Sequence, residues 1–235
     1  MNSGFHAGIF AIWSLIPNRR AKRDTENSST ICTVAYGGRM DINMKLIIAS
    51  NNAHKIYEIK KILSDRFSEI ISLKEAGIDH ETVEDGTTFM ENAMKKAREI
   101  AEISGVAALA DDSGICVDAL GGAPGIYSAR FSGEHGDDAA NNALLLEKLS
   151  GVENRAAHYT CAMALVYPDG REVSAEGYMY GDIIDSPRGS RGFGYDPLFV
   201  LRGETRTVAE MTDEEKNAVS HRAAALEALI KKLPG

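Results

Sequence analysis

Residues 110–131 read Ala-Asp-Asp-Ser-Gly-Ile-Cys-Val-Asp-Ala-Leu-Gly-Gly-Ala-Pro-Gly-Ile-Tyr-Ser-Ala-Arg-Phe, directly after the apolar run Val106–Leu109. The short apolar run Val106–Ala110 is of strand type, and it predicts that Asp111 and Asp112 stand on a turn ended by Gly114. Two adjacent carboxylates at the end of a buried strand are costly to fold unless something compensates their charge. A divalent metal ion is the usual compensator, and Mg²⁺ favours one or two carboxylates together with substrate phosphates. The alternative is that Asp111 caps the turn and Asp112 is solvated.

Outward from this stretch, strands and helices alternate. Leu46–Ala49 reads as a buried strand, Ser50-Asn51-Asn52 as a turn, and the spacing of Ile56, Ile59, Ile62 and Leu63 as a helix. Phe67–Leu73 is a second strand and Glu81–Gly86 an acidic loop. Thr88 opens another helix with Phe89, Ala93, Ala97, Ile100 and Ala101 inward and Glu91 paired with Lys95. Asp137–Leu149 is helical. His158–Tyr167 and Glu172–Met179 form a hairpin through Pro168-Asp169-Gly170. Asp185–Gly194 is a loop and Leu198–Val200 a short strand. Thr212-Asp213-Glu214-Glu215 fits a capping box opening one final helix to about Lys232. The expected fold is α/β: a mixed β-sheet with helices on both faces and a cleft between two lobes.

The 235 residues are 44% hydrophobic and 26% charged, as in ordinary globular proteins. The net charge of −8 argues against a partner read through a nucleic-acid backbone. No apolar run approaches the roughly 20 residues needed to span a bilayer, so no membrane partner is expected. Cys32, Cys116 and Cys161 form no close pair, which predicts a reducing, cytoplasmic setting. Residues 1–43 look foreign to the rest. An apolar run precedes the basic run Arg19, Arg20, Lys22, Arg23, the reverse of a secretory signal. They are expected to be a disordered leader or the product of a mis-assigned start, with the domain at 44–235.

Four further segments carry chemistry. Ser50-Asn51-Asn52-Ala53-His54-Lys55 is a strand-to-helix turn suited to an anion, although a plain N-cap would look the same. Glu81, Glu84 and Asp85 form either a solvated acidic loop or, if Glu84 faces Asp112, a second carboxylate ligand. Phe193-Gly194-Tyr195-Asp196-Pro197 places an aromatic between glycines, letting backbone approach a flat ligand. A structural turn is the alternative there. Lys216, Ser220, His221 and Arg222 lie on the final helix, Lys216 and Ser220 on one face; a solvated charged helix would also explain them.

In this order, Ser-Asn-Asn-x-x-Lys, Phe-Met-Glu-Asn-Ala, Ala-Asp-Asp-Ser-Gly, Gly-Gly-Ala-Pro-Gly-Ile-Tyr-Ser-Ala-Arg, Gly-Phe-Gly-Tyr-Asp-Pro and Glu-Lys-Asn-x-x-Ser-His-Arg resemble the inosine triphosphate pyrophosphatase (Ham1-like) family. The likeness runs from Lys45 to about Leu233. It implies an elongated two-lobed α/β fold, hydrolysis of ITP, dITP and XTP to monophosphate and pyrophosphate with Mg²⁺, and a homodimer. By the same resemblance, residues 50–55 would hold the triphosphate. Asp112 would bind Mg²⁺ and accept a proton from the attacking water, with Asp111 beside it and Ser113 touching substrate. Phe193, Gly194, Tyr195 and Asp196 would line the base pocket, and Lys216, His221 and Arg222 would contact phosphate or the purine oxo edge. Glu84 would be the second metal ligand, with Glu81 its rival. Ser50-Asn51-Asn52 stands where the family often has Thr-Gly-Asn, and His54 replaces a common small residue. The competing class is a nucleotide sensor without turnover, which the extra carboxylates disfavour.

Overall fold

After its first residue, strand β1 (Lys45–Ile48) is buried throughout. A strand buried on both faces must be covered from both sides, and its alternation decides by what. Leu46 and Ile48 pack with Ile59 and Leu63 of helix α1 (Ala53–Leu63) and with Leu226 and Leu229 of α5 (His221–Ile230). Ile47 packs with Ala93, Ala97 and Ile100 of α2 (Phe89–Ser104). The computed structural model describes residues 44–64 and 66–233. The expectations for residues 1–43 and for Cys32 lie outside the described residues.

β2 (Glu69–Ser72) and β3 (Ala107–Val117) flank β1 in parallel. β4 (Ala156–Val166), β5 (Glu172–Ile183) and β6 (Phe199–Leu201) continue the sheet antiparallel, giving the order β2-β1-β3-β4-β5-β6. The mixed sheet with helices on both faces is as expected. The hairpin is too, with the Gly170 N–H donating to the Tyr167 carbonyl at 3.0 Å. Helix α3 (Asp138–Lys148) adds Leu145 to a further apolar cluster around Ile115, Tyr159, Met179 and Phe199. The long strands therefore run from one apolar region into another, and the residues between the two are polar.

Three local expectations are corrected. Asp111 and Asp112 do not stand on a turn: β3 runs straight through them, because β4 pairs with every residue from Ala108 to Val117 and satisfies the backbone. Gly114 ends no turn; a Cβ there would lie 2.4 Å from Ser128 Oγ and 2.5 Å from the Gly125 carbonyl, so glycine admits the 3₁₀ segment Gly125–Arg130. The final helix is two helices, α4 (Asp213–Val219) and α5. Ser220 between them is extended (φ −71°, ψ 152°) and its hydroxyl accepts from Ala223 N–H, capping α5. Lys216 and Ser220 thus share no helix face. Glu91 does not pair with Lys95 either. Its carboxylate completes the Thr88 capping box, and Lys95 reaches Asp85 at 2.7 Å.

Candidate active site

β1 pairs with β3 only as far as Leu109, and beyond that point no other strand among the described residues pairs with that edge of β3, where Cys116 bridges to Pro124. The turn Ser50–Asn52 lies at this end of β1. Ser50 Oγ accepts from Asn52 N–H at 3.2 Å, and Asn52 Oδ1 accepts from the His54 and Lys55 amides at 3.0 and 3.2 Å. Asn51, Asn52, Ala53 and His54 are exposed. Lys55 turns inward, its Nζ 3.2 Å from Asp111 Oδ2.

Strand periodicity sends the two aspartates to opposite faces. Asp111 shares the face of Leu109, under α1 and α5. Arg222 donates to its Oδ2 from Nε (3.2 Å) and Nη2 (3.0 Å), and from Nη2 to Ser113 Oγ (3.1 Å). Nη1 of the same guanidinium donates to Glu58, whose other oxygen lies 3.6 Å from Lys216 Nζ. Lys216 donates in turn to Asp196 Oδ2 at 2.8 Å. Burial raises the Asp111 carboxyl, but Lys55, Arg222 and Lys96 outweigh it and hold it well below the usual carboxylate range. Asp111 Oδ1 is buried without a partner.

Asp112 faces α2. Asn92 Nδ2 donates to its Oδ2 at 3.2 Å, and Asn92 Oδ1 accepts from Gly86 N–H at 2.8 Å, tying the acidic loop to the strand. Lys96 Nζ lies 3.3 Å from Asp112 Oδ1 and 2.7 Å from Glu84 Oε1. Glu84 therefore does fold back toward Asp112, while Glu81 is exposed. Burial pushes the Asp112 carboxyl above its ordinary value, opposed by Lys96 and Lys55 and aided by Glu84. Lys55 acts on both aspartates, which makes the two faces one electrostatic site at the strand edge.

A cation already stands between Glu84 and Asp112 as the Lys96 ammonium, so both oxygens present themselves to positive charge. Among the described residues no group of three His, Cys, Asp or Glu side chains can hold a metal. Two carboxylates completed by phosphate oxygens and water form a donor set that suits Mg²⁺.

The loop before Asp196 completes the constellation. The Phe193 ring stacks on His54 (centroids 5.1 Å apart, 20° between planes), with Lys216 Nζ 4.5 Å from its centroid. Asp196 Oδ2 accepts from Phe193 N–H at 3.0 Å, and Tyr159 Oη donates to Asp196 Oδ1 at 3.3 Å. Gly194 sits beside the ring, whereas the Tyr195 side chain points away and donates to the Ser128 carbonyl. His221 is buried and stacks on Tyr159 at 4.8 Å, with Nδ1 unpartnered. Burial, then Arg222 and Lys216, hold its imidazole well below the usual histidine range, so it is neutral.

Lys55, Asp111, Ser113, Phe193, Asp196, Lys216 and Arg222 are thus linked, with His54 stacked on Phe193 and His221 on Tyr159, itself bonded to Asp196. Glu58 and Lys96, which hold the cluster together, went unrecognised in the sequence. A signal existed: Glu58 lies four residues before Ile62 on the inward stripe of α1, and Lys96 three after the buried Ala93.

A charged centre at a strand edge, between two apolar regions and beside an aromatic loop, defines an α/β enzyme. Residues 46–232 match the Ham1 family, and the chain belongs to it. A dITP/XTP pyrophosphatase of Clostridium perfringens is 52% identical over 199 residues, covering 81% of this chain and 98% of that protein. One of Bacillus subtilis is 45% identical, covering 83% and 99%. The fold is similar to that of a HAM1 protein from Coxiella burnetii, with a TM-score of 0.73 at 38% identity over 80% of this chain and 97% of that one.

Proposed function

We propose that this chain hydrolyses the non-canonical purine nucleoside triphosphates dITP, XTP and ITP to the monophosphate and pyrophosphate. The observation that carries this is the gathering of Lys55, both aspartates, Phe193 and Lys216 from four distant segments at one strand edge. A stacking ring at one end and carboxylates with lysines at the other suit a base and its triphosphate. The names of the relatives point to the same chemistry.

Asp112 accepts the proton of the attacking water, a task open to a positioned carboxylate. Asp112 and Glu84 would hold Mg²⁺, which when bound supplies charge neutralisation at the phosphates. Lys55 and the 50–54 turn face the phosphates, and Ser113, fixed by Arg222, touches the substrate. Phe193 stacks on the purine with Gly194 beside it, while Tyr195 and Asp196 hold the loop. Lys216 and His221 lie toward the base, and Arg222 supports them through Asp111 and Glu58. A neutral imidazole has one N–H to give to a 6-oxo group, whereas the 6-amino group of adenine brings a second donor. That mismatch costs on the order of 1–3 kcal/mol.

Residues 44–235 are proposed to suffice, since the whole network and the family match lie within them. A protein lacking residues 1–43 should keep its rate. A homodimer fits the exposed aromatic sheet face of Tyr178 and Tyr180, where His158 lies 5.5 Å from Tyr180. Sedimentation checks that assembly. A cytoplasmic location fits the free thiols Cys116 and Cys161.

Pyrophosphate release from dITP, XTP, ITP, dATP, dGTP and dUTP, with and without Mg²⁺, tests the main reading. Release confined to the 6-oxo purines other than guanine, and dependent on Mg²⁺, is expected. Binding of dITP without release would leave a sensor instead.

A further inference from the structure

Gly194 follows the stacking residue Phe193 and adopts φ +63°, the left-handed region that favours glycine. Both of its backbone polar groups are held by one helix. The Gly194 N–H donates to Asp138 Oδ2 at 2.7 Å, and the Gly194 carbonyl accepts from Asn142 Nδ2 at 2.9 Å. Asp138 and Asn142 stand four residues apart on α3, the spacing that brings two side chains onto one helix face.

Asp138 is not needed as a cap for its own helix. That task falls to Asp137, whose Oδ1 accepts from Ala140 N–H at 2.9 Å. The helix is itself anchored: Asn141 accepts from Ser132 N–H at 2.8 Å and donates to the Ala129 carbonyl at 3.4 Å. Tyr195 reaches the same neighbourhood through its 2.9 Å bond to the Ser128 carbonyl. The loop is thus fastened on one side to α3 and on the other, through Asp196, to Lys216.

We infer that Asp138 and Asn142 are positioning residues for substrate: by clamping the peptides on both sides of Gly194 from α3 they fix the angle of the Phe193 ring and so set purine stacking and base preference. This rests on the proposed function. Neither side chain is part of the ion network around Asp111 and Asp112, so losing the clamp leaves the groups at the phosphates in place. Its effect falls on binding of the base.

The test uses the full-length chain with Asp138→Ala, Asn142→Ala, the double variant and Asp138→Asn. Each alanine variant is expected to raise KM for dITP by about tenfold, with kcat changed by less than about twofold and the preference for dITP over dATP reduced. The double variant should be scarcely worse than either single one, since the two side chains hold the successive peptides on either side of one residue and losing either frees it to turn. Asp138→Asn keeps an acceptor and should restore most of the lost affinity. Folded alanine variants with parental KM and parental base preference would overturn the inference. So would a KM change that Asp138→Asn does not restore. If the parent chain releases no pyrophosphate from any triphosphate, the function fails but the clamp is still read by NMR. Amide exchange at Gly194 should then accelerate in Asp138→Ala, and unchanged exchange would refute the clamp itself.

Discussion

A Cβ placed on Gly177 would lie 2.2 Å from the backbone nitrogen of Ala225 and 2.3 Å from the carbonyl oxygen of His221. Strand β5 and helix α5 therefore touch backbone to backbone, and that contact sets how deep His221 and Arg222 sit over the sheet. Neither neighbour is a flexible side chain that can move aside. Gly177→Ala should cost about 1–3 kcal/mol of stability, as overpacking does. It should also lower activity by shifting α5 away from Asp111. A urea midpoint equal to that of the parent would show that the helix has slack.

Asp112→Asn keeps the size and polarity of the side chain and removes its ability to take a proton. Turnover of dITP should fall by roughly 10²–10⁴-fold, the range supplied by a positioned general base. Circular dichroism should show an unchanged fold. A variant retaining more than a tenth of the parental rate would remove Asp112 from that role.

The family resemblance implies that Arg222 contacts phosphate or the purine oxo edge, and its surroundings give it a structural load as well. It is 1% exposed and binds Asp111, Glu58 and Ser113. Arg222→Met takes the guanidinium from two buried carboxylates and leaves Asp111 to Lys55 and Glu58 to Lys216 alone; removing one partner of a buried ion pair typically costs about 3–5 kcal/mol. Thermal or urea unfolding should reveal a loss of that size. A stable, soluble variant with altered base preference alone would mean that the arginine acts on substrate rather than on the fold.

The neutral, buried His221 makes stability depend on pH in a definite direction. Its native pKa lies below that of the unfolded chain, so the unfolded state takes up the proton first as pH falls. The contribution is complete above about pH 6.5, the ordinary histidine value, and is lost progressively below it toward the native pKa. The slope in that window approaches about 1.4 kcal/mol per pH unit. Unfolding followed between pH 7.5 and 5 should show a shallower decline in His221→Gln than in the parent. Parallel curves would mean that another group carries the dependence.

Much of the architecture could be read in advance because it follows from local rules. Helical spacing along Ile56–Leu63 and Phe89–Ala101, the Pro168-Asp169-Gly170 turn and the Thr212 capping box each speak through residues within one or two turns of one another. The same locality misled at two places. Asp-Asp-Ser-Gly looks like a turn until ten residues of β4 pair across it, and a charged run after Thr212 looks like one helix until Ser220 caps a second.

The chain alone determined which side chains would carry charge, where the apolar stripes lie and that an aspartate pair ends an apolar run. It could not determine that Asp111 answers to Arg222 while Asp112 answers to Lys96. That division comes from the pleat of β3, which turns consecutive residues to opposite faces, and from which helix covers each face. Glu58 and Lys96 acquired their parts only when those helices docked. A buried charge is tolerable only where its counter-charge arrives, and that meeting is a property of the folded sheet, not of spacing along the chain.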